Sequence, residues 1–455
     1  NNDGHYKGTL YAAYALLERL GCRWYFPDEW GEVVPEKKTI TVPELDVVSR
    51  PDFAVRSVNP SGWVPMPGNE RELYTEWGEK IGFNFHNSYP AVGDGFLGYL
   101  APPKEYFETH PEFFAMNEQI VALAEAVVDA VACADEVRFV SSGSEATLYA
   151  MRIARAFRKR DKILKFEGGF HGMNDYALVA VMPGEPTDFP HGRPDSAGVP
   201  QSIASEMLVA PFNDIETTSA IVEKHHDEIA GVIVEPFQRV IAPVPGFLEG
   251  LRELTHQYRI PLIFDEIVTG FRFAYGGAQE YYGVTPDLCT LGKALAGGFA
   301  LAAVTGRSEI MEHFDRGRVS KEEHLMQVGT LSGNPVAAAA GLATLNVLRQ
   351  EGTYERLFAT GRRIRESLQQ QLDQAEIPAQ VVGEDPLFDV YFTDREIVDY
   401  HTTLSADDEK SLRFTKLLQE RGVFKGEHKY YVSTAHGDDD VELTADAFAS
   451  AIEEL

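Results

Sequence analysis

The stretch Cys289 to Ala300, CTLGKALAGGFA, sets one lysine, Lys293, among residues too small to crowd it. An amine with that much room can take a flat carbonyl compound beside it. Burial lowers a lysine's pKa, and the unprotonated amine is then a nucleophile able to form a Schiff base. A lone lysine is more commonly a solvated surface group, so the chemistry has to be read from its company. Asp265 follows the apolar run Ile260-Pro261-Leu262-Ile263-Phe264, where a strand would deliver its carboxylate to a buried carboxyl end. Burying a carboxylate is costly unless it is paired. A protonated ring nitrogen would suit it, although a helix cap or an ordinary ion pair would serve as well.

Three further stretches carry polar groups that such a site could use. Phe139-Val140-Ser141-Ser142-Gly143-Ser144-Glu145-Ala146-Thr147 reads as strand, tight turn and helix. The free amides at the helix start, with the Ser144 hydroxyl, make a seat for a phosphate monoester, while the same text taken alone reads better as an ordinary serine cap. Phe170-His171-Gly172 follows the pair Gly168-Gly169 and puts an aromatic beside glycine-rich backbone, though Phe170 by itself reads as core. Gly329-Thr330-Leu331-Ser332-Gly333-Asn334-Pro335 is a polar turn ahead of a helix and offers Thr330 to a phosphate. Taken together these supply an amine, a partner for a ring nitrogen, a phosphate seat and an aromatic face. That is the inventory for holding pyridoxal phosphate.

The elements that must position these groups alternate. After a helix pattern over Glu118 to Ala132, apolar strand candidates at Val137 to Val140, Lys162 to Phe166, Met207 to Val209, Gly231 to Val234, Pro261 to Phe264 and Ala300 to Val304 are separated by helical text. Such alternation predicts an α/β fold with a mostly parallel sheet covered on both faces, its ligands at the carboxyl ends of the strands. Beyond Thr330, a small-residue helix over Asn334 to Leu348, a charged helix over Tyr354 to Gln371 and strands at Phe388 to Phe392 and Lys429 to Val432 predict a smaller α+β domain. Residues 1 to about 114 differ in character. They offer an amphipathic helix over residues 8 to 20, short strands and turns, and an aromatic, Pro- and Gly-rich tract from Arg50 to Phe114.

The 455 residues suffice for two or three domains. With 70 acidic against 41 basic residues the chain carries a formal charge of -29, which repels nucleic acid and anionic membrane surfaces. Its three cysteines, widely spaced, indicate neither a disulfide framework nor a metal knuckle. The adjacent His225 and His226 point apart on a helix, so no metal is expected there. No apolar run reaches the length of a membrane span, and no leader is legible, although the text opens on Asn1 and not on Met. A cytoplasmic location is the expectation from the chemistry.

From about Glu118 onward the motifs RFVSSGSEAT, KFEGGFHG, VIVEPFQ, LIFDEIVTGFR, TLGKALAGG and GTLSGNP occur in the order found in class III aminotransferases. The chain resembles that family, of pyridoxal-phosphate fold type I, and within it the branch of glutamate-1-semialdehyde 2,1-aminomutase. The resemblance implies that Lys293 bonds the cofactor's aldehyde, that Asp265 pairs with its ring nitrogen, and that Phe170 and Ile267 cover its two faces. It further implies that Gly143 and Ser144 bind its phosphate, that His171, Glu235 and Gln238 lie beside it, and that Thr330 reaches the phosphate of a neighbouring subunit in a homodimer. A small-molecule amino donor and a carbonyl acceptor, or one molecule serving as both in a mutase, are the implied partners. Residues 1 to about 114 resemble instead a fragment of a bacterial family of unassigned function with an α-glucuronidase-like domain, on the text GTLYAAYALLERLGCRWYFPDEWGEVVP, RPDF and YFETHPEFFAMN. The implied division is 1–114, a PLP-binding domain over 117–330 and a small domain over 331–455. A glycan-binding or glycan-processing protein, or a PLP-binding chimera with impaired catalysis, are the competing expectations. One departure bears on substrate: where the mutase has a glutamate five positions before the serine of its late S-x-A-H element, this chain has His428, with Glu427 one step away.

Overall fold

The computed structural model describes residues 17, 22–24, 32–34 and 115–455, Pro186 and Glu427 excepted. The chain divides into two compact units, Asn1–Tyr106 and Phe107–Leu455. In the first, β1 (Arg23–Trp24) pairs antiparallel with β2 (Glu32–Val33), Arg23 opposite Val33. The helix expected over residues 8 to 20, Leu17 apart, and the aromatic tract up to Phe114 lie outside the described residues.

The described part of the second unit opens with α1 (Ala115–Ala130), then β3 (Glu136–Val140), α2 (Gly143–Arg158), β4 (Lys162–Phe166) and β5 (Met207–Ala210). There follow α3 (Ile215–His225), β6 (Ile229–Val234), α4 (Phe247–Gln257), β7 (Leu262–Glu266), β8 (Leu288–Leu291) and β9 (Ala302–Gly306). The strands form one seven-stranded sheet in the order β3-β9-β8-β7-β6-β4-β5. Its neighbours pair in parallel except at β9, which runs against both β3 and β8. Every residue of β5 through β9 is buried, because helices cover both faces. Doubly covered strands have no solvent face to make polar, hence their Val-, Ile- and Leu-rich text.

Several boundaries shift; β7, for one, runs on to Glu266, so that Asp265 lies within the strand. The strand expected from Ala300 begins at Ala302, and the apolar approach to Lys293 is itself a strand, β8. β8 lies between β7 and β9 and bonds to both. Its pairing puts Thr290 beside Asp265 and Leu291 beside Glu266. The carboxyl ends of β4, β6, β7 and β8 consequently open onto one edge of the sheet, with Gly168, Glu235, Asp265 and Lys293 all at that edge.

Beyond the sheet come α5 (Pro335–Leu348), α6 (Thr353–Gln374), β10 (Gln380–Glu384), β11 (Leu387–Tyr391), α7 (Asp408–Glu420), β12 (Tyr430–Tyr431) and α8 (Asp438–Ile452). An antiparallel sheet β10-β11-β12 and the helices α6, α7 and α8 share a separate core around Leu368, Phe388, Phe414 and Phe448. This is the smaller α+β layer expected from the sequence. No helix among the described residues is long and apolar enough to cross a membrane.

Candidate active site

The first amides of a helix have no acceptor within it. In α2 the cap is Ser142, whose Oγ accepts from Glu145 N at 3.3 Å, while Glu145 Oε2 reaches back to Ser141 N at 2.7 Å. That reciprocal pair spares Ser144, and its Oγ accepts instead from Met173 N at 3.0 Å. Gly172, at φ +87°, lies so close that a Cβ on it would fall 2.6 Å from Ser144 Oγ. The helix start and the Phe170-His171-Gly172 loop are thereby locked together, and the amides of Gly143 and Ser144 make no hydrogen bond among the described residues.

Asp265 is buried (4% exposed) and its two oxygens are differently engaged. Oδ1 accepts from Thr290 Oγ1 at 3.0 Å and from Ile267 N at 3.2 Å; Oδ2 lies 2.7 Å from His171 Nδ1. A carboxylate has no proton to give, so Nδ1 carries the proton and donates. His171 is anchored from behind by Thr147 Oγ1, which donates to its carbonyl at 2.5 Å. Beside it Gln238 Nε2 donates to Glu167 O at 2.7 Å and Glu235 Oε2 accepts from Phe170 N at 2.9 Å. Two buried atoms in this group have no partner among the described residues: His171 Nε2 and Gln238 Oε1. Phe170 is 39% exposed, and Arg239 lies over its ring at 5.3 Å while donating through Nε to Gly168 O at 2.8 Å.

Lys293 begins a short 3-10 turn after Gly292 and takes φ 43°, a left-handed conformation that few residues other than glycine adopt. Its side chain is exposed, and its amine makes no hydrogen bond or ion pair among the described residues. The surrounding protein lowers its pKa by desolvation, against the opposing pull of Asp265 and Glu235, and the Arg272 guanidinium lowers it further. Ile267 fits between the two loops: a Cβ on Gly143 or on Gly292 would fall 3.1 Å from its side chain. The structure thus brings Gly143, Ser144, Phe170, His171, Glu235, Gln238, Asp265, Ile267 and Lys293 to one sheet edge, whereas Thr330 sits in an exposed turn outside this group.

Several residues here went unnoticed in the sequence. Thr290 was part of an unassigned apolar approach. Arg272, which closes the quoted motif LIFDEIVTGFR, is mostly buried, lies over the Tyr431 ring at 5.1 Å and donates to Val432 O at 3.3 Å. Lys429, pushed down to about 8 by burial, senses Glu235, Arg239 and Lys293. It stands one residue from His428, the position where the mutase glutamate was expected; Glu427 lies outside the described residues.

Residues 108–436 match the family Aminotransferase class-III. The chain belongs to the class III aminotransferases. A glutamate-1-semialdehyde 2,1-aminomutase of Methanococcus maripaludis strain C7 is 38% identical over 412 residues, covering 88% of this chain and 93% of that protein. Residues 117–455 make up about three quarters of the chain, so an alignment of that extent also takes in part of residues 1–116. Among solved structures, an omega-transaminase from Sphaerobacter thermophilus superposes with a TM-score of 0.70 at 37% identity, covering 74% of this chain and 78% of that one. A transaminase solved with PLP bound follows at 0.67 and 28% identity, covering 74% and 77%. The class III aminotransferase fold therefore accounts for the sheet order and for the edge at which the polar residues gather.

Proposed function

We propose that this class III aminotransferase uses pyridoxal phosphate to move an amino group onto or within a small amino acid, keto acid or semialdehyde, with Lys293 as the residue that bonds the cofactor. The observation that carries this reading is a lysine amine with a lowered pKa and no partner, standing at the same sheet edge as a buried, pre-oriented carboxylate. The residues fit the cofactor on other counts: unpaired amides at Gly143 and Ser144 for a phosphate, an exposed Phe170 ring, and buried atoms of His171 and Gln238 still lacking partners.

What pyridoxal phosphate supplies when bound is an electron sink for the charge left on a substrate carbon that loses its proton. The chain supplies the rest. Lys293 Nζ would bond the cofactor and, when free, would be the base that takes and returns that proton. Asp265 would keep the ring nitrogen protonated, and its contacts to His171, Thr290 and the Ile267 amide hold the carboxylate at a fixed angle. Phe170 and Ile267 would flank the ring, Gly143 and Ser144 would take the phosphate, and Glu235 and Gln238 would border it. A PLP-binding domain over residues 117–330 and a small domain over 331–455 are the corresponding division.

Thr330 reaches the phosphate of a second copy in a homodimer. In support, exposed apolar side chains surround its turn: Val328, Leu331 and Val336, with Val121 and Val128 of α1 along the adjoining groove. A strictly monomeric active protein in analytical ultracentrifugation would contradict the dimer.

Borohydride reduction of the protein loaded with pyridoxal phosphate, followed by peptide mapping, tests the central assignment. The pyridoxyl group is expected on Lys293; finding it on another lysine, or on none, sinks the reading. Glutamate-1-semialdehyde and a panel of amino donors, offered in parallel, then separate mutase from transaminase.

A further inference from the structure

Lys165, on β4, is wholly buried (0% exposed). Its ammonium donates to three backbone carbonyls, Gly169 O at 3.0 Å, Ala177 O at 3.0 Å and Val179 O at 2.6 Å. An ammonium has three N–H groups, and all are committed. No carboxylate pairs with it among the described residues. Asp195 and Glu235 favour its charge from a distance, Arg239 opposes it, and burial pushes its pKa down to about 7. Burying a cation without a counter-ion is expensive, and amino transfer has no use for an amine turned into the backbone.

The Gly169 carbonyl belongs to the same peptide group as the Phe170 N–H, which donates to Glu235 Oε2 at 2.9 Å. One peptide is therefore held at its oxygen by a cation and at its N–H by an anion. The two residues that follow it are Phe170 and His171, the ring of the latter fixed 2.7 Å from Asp265. A Cβ on Gly169 would fall 3.2 Å from His171 Nε2 and 3.4 Å from Gln238 Oε1, so this peptide also forms the wall behind both side chains.

We propose that Lys165 is a positioning residue: with Glu235 it clamps the Gly169-Phe170 peptide and so sets the direction of the Phe170 ring and of the His171–Asp265 pair, touching neither cofactor nor substrate itself. The inference rests on the reading of this edge as the pyridoxal phosphate site. Methionine at 165 would fill most of the volume and donate nothing, leaving three buried carbonyls short of a donor and the loop free to turn.

The test uses the full-length chain. Without cofactor, the proton between His171 and Asp265 should give a low-field proton resonance, assigned by its loss in Asp265→Asn. Lys165→Met is expected to shift or broaden that resonance and to weaken pyridoxal phosphate binding about tenfold or more, the scale of a buried acceptor left unmade. Glu235→Met, which leaves the Phe170 N–H without its acceptor, should act in the same direction, and the double variant should fall short of the sum of the two, because both side chains hold one peptide. A folded Lys165→Met protein with the resonance in place and binding unchanged overturns the proposal, as do additive effects. Should Lys165→Met fail to fold, Glu235→Met decides, and an unmoved resonance there overturns the clamp. A wild-type chain that does not bind pyridoxal phosphate would sink the reading of the site, while the resonance, read without cofactor, still decides the role of Lys165.

Discussion

Lys165 and Lys293 both have pKa values lowered by desolvation. They differ in what their amines touch. Three carbonyls occupy the donors of Lys165 and no solvent reaches it, whereas Lys293 is an exposed residue whose amine has no partner among the described residues. Burial alone therefore does not make a reactive amine. Reactivity needs a lowered pKa together with uncommitted donors and a path for the carbonyl, and only Lys293 has all three.

The largest effect expected from breaking this arrangement falls on the carboxylate. Asp265→Asn keeps the shape of the side chain but removes its charge, so it weakens the hold on His171 Nδ1 and on a protonated ring nitrogen. Turnover should fall by orders of magnitude, as losses of several kcal/mol of preorganised electrostatics do, with cofactor still bound in part. Near-normal turnover in steady-state assays would assign the ring nitrogen to another group.

A second measurement sharpens the contrast between the lysines directly. In competitive trace acetylation of the cofactor-free chain, an amine's reactivity rises about tenfold per pH unit until its pKa and then levels off. Lys293, with its pKa lowered, should level off at lower pH than an unperturbed lysine. Lys165 should stay unlabelled while the protein is folded. Labelling of Lys165 as fast as Lys293 would erase the distinction.

The smallest effect belongs to α2, the helix proposed to seat the phosphate. Ser142→Ala removes the cap from Glu145 N and should cost about 1 kcal/mol of stability in denaturant unfolding. Cofactor affinity should change little, because the Gly143 and Ser144 amides remain. A large loss of cofactor affinity without loss of stability would mean that Ser142, and not Ser144, faces the phosphate.

How far the sequence could be read depended on whether a signal was local. The boundaries of β4 were legible because KILKF is a short apolar run between Asp161 and Gly168, and Asn334 announced α5, whose first amides it caps at 2.9 and 3.4 Å. The gathering of Lys293, Asp265, Phe170 and Ser144 followed from strand ends that a parallel sheet must align. The Lys165 clamp was out of reach, since its acceptors lie 4, 12 and 14 residues away in irregular loops with no period to betray them. Arg239 and Arg272 were hidden likewise, each acting on backbone distant in sequence: Gly168 for one, Val432 for the other. A burial pattern names the faces of elements; it does not name the carbonyl to which a long side chain will turn.

The left-handed backbone at Lys293 carries a cost that its chemistry hides. A residue with a Cβ held at φ 43° stores on the order of 1 kcal/mol or more, which glycine would not. Replacing Lys293 by glycine should therefore give a dead enzyme that is also the sturdier protein. Random drift toward stability runs, at this one position, toward loss of the reaction, and only selection for turnover keeps the chain in its less comfortable form.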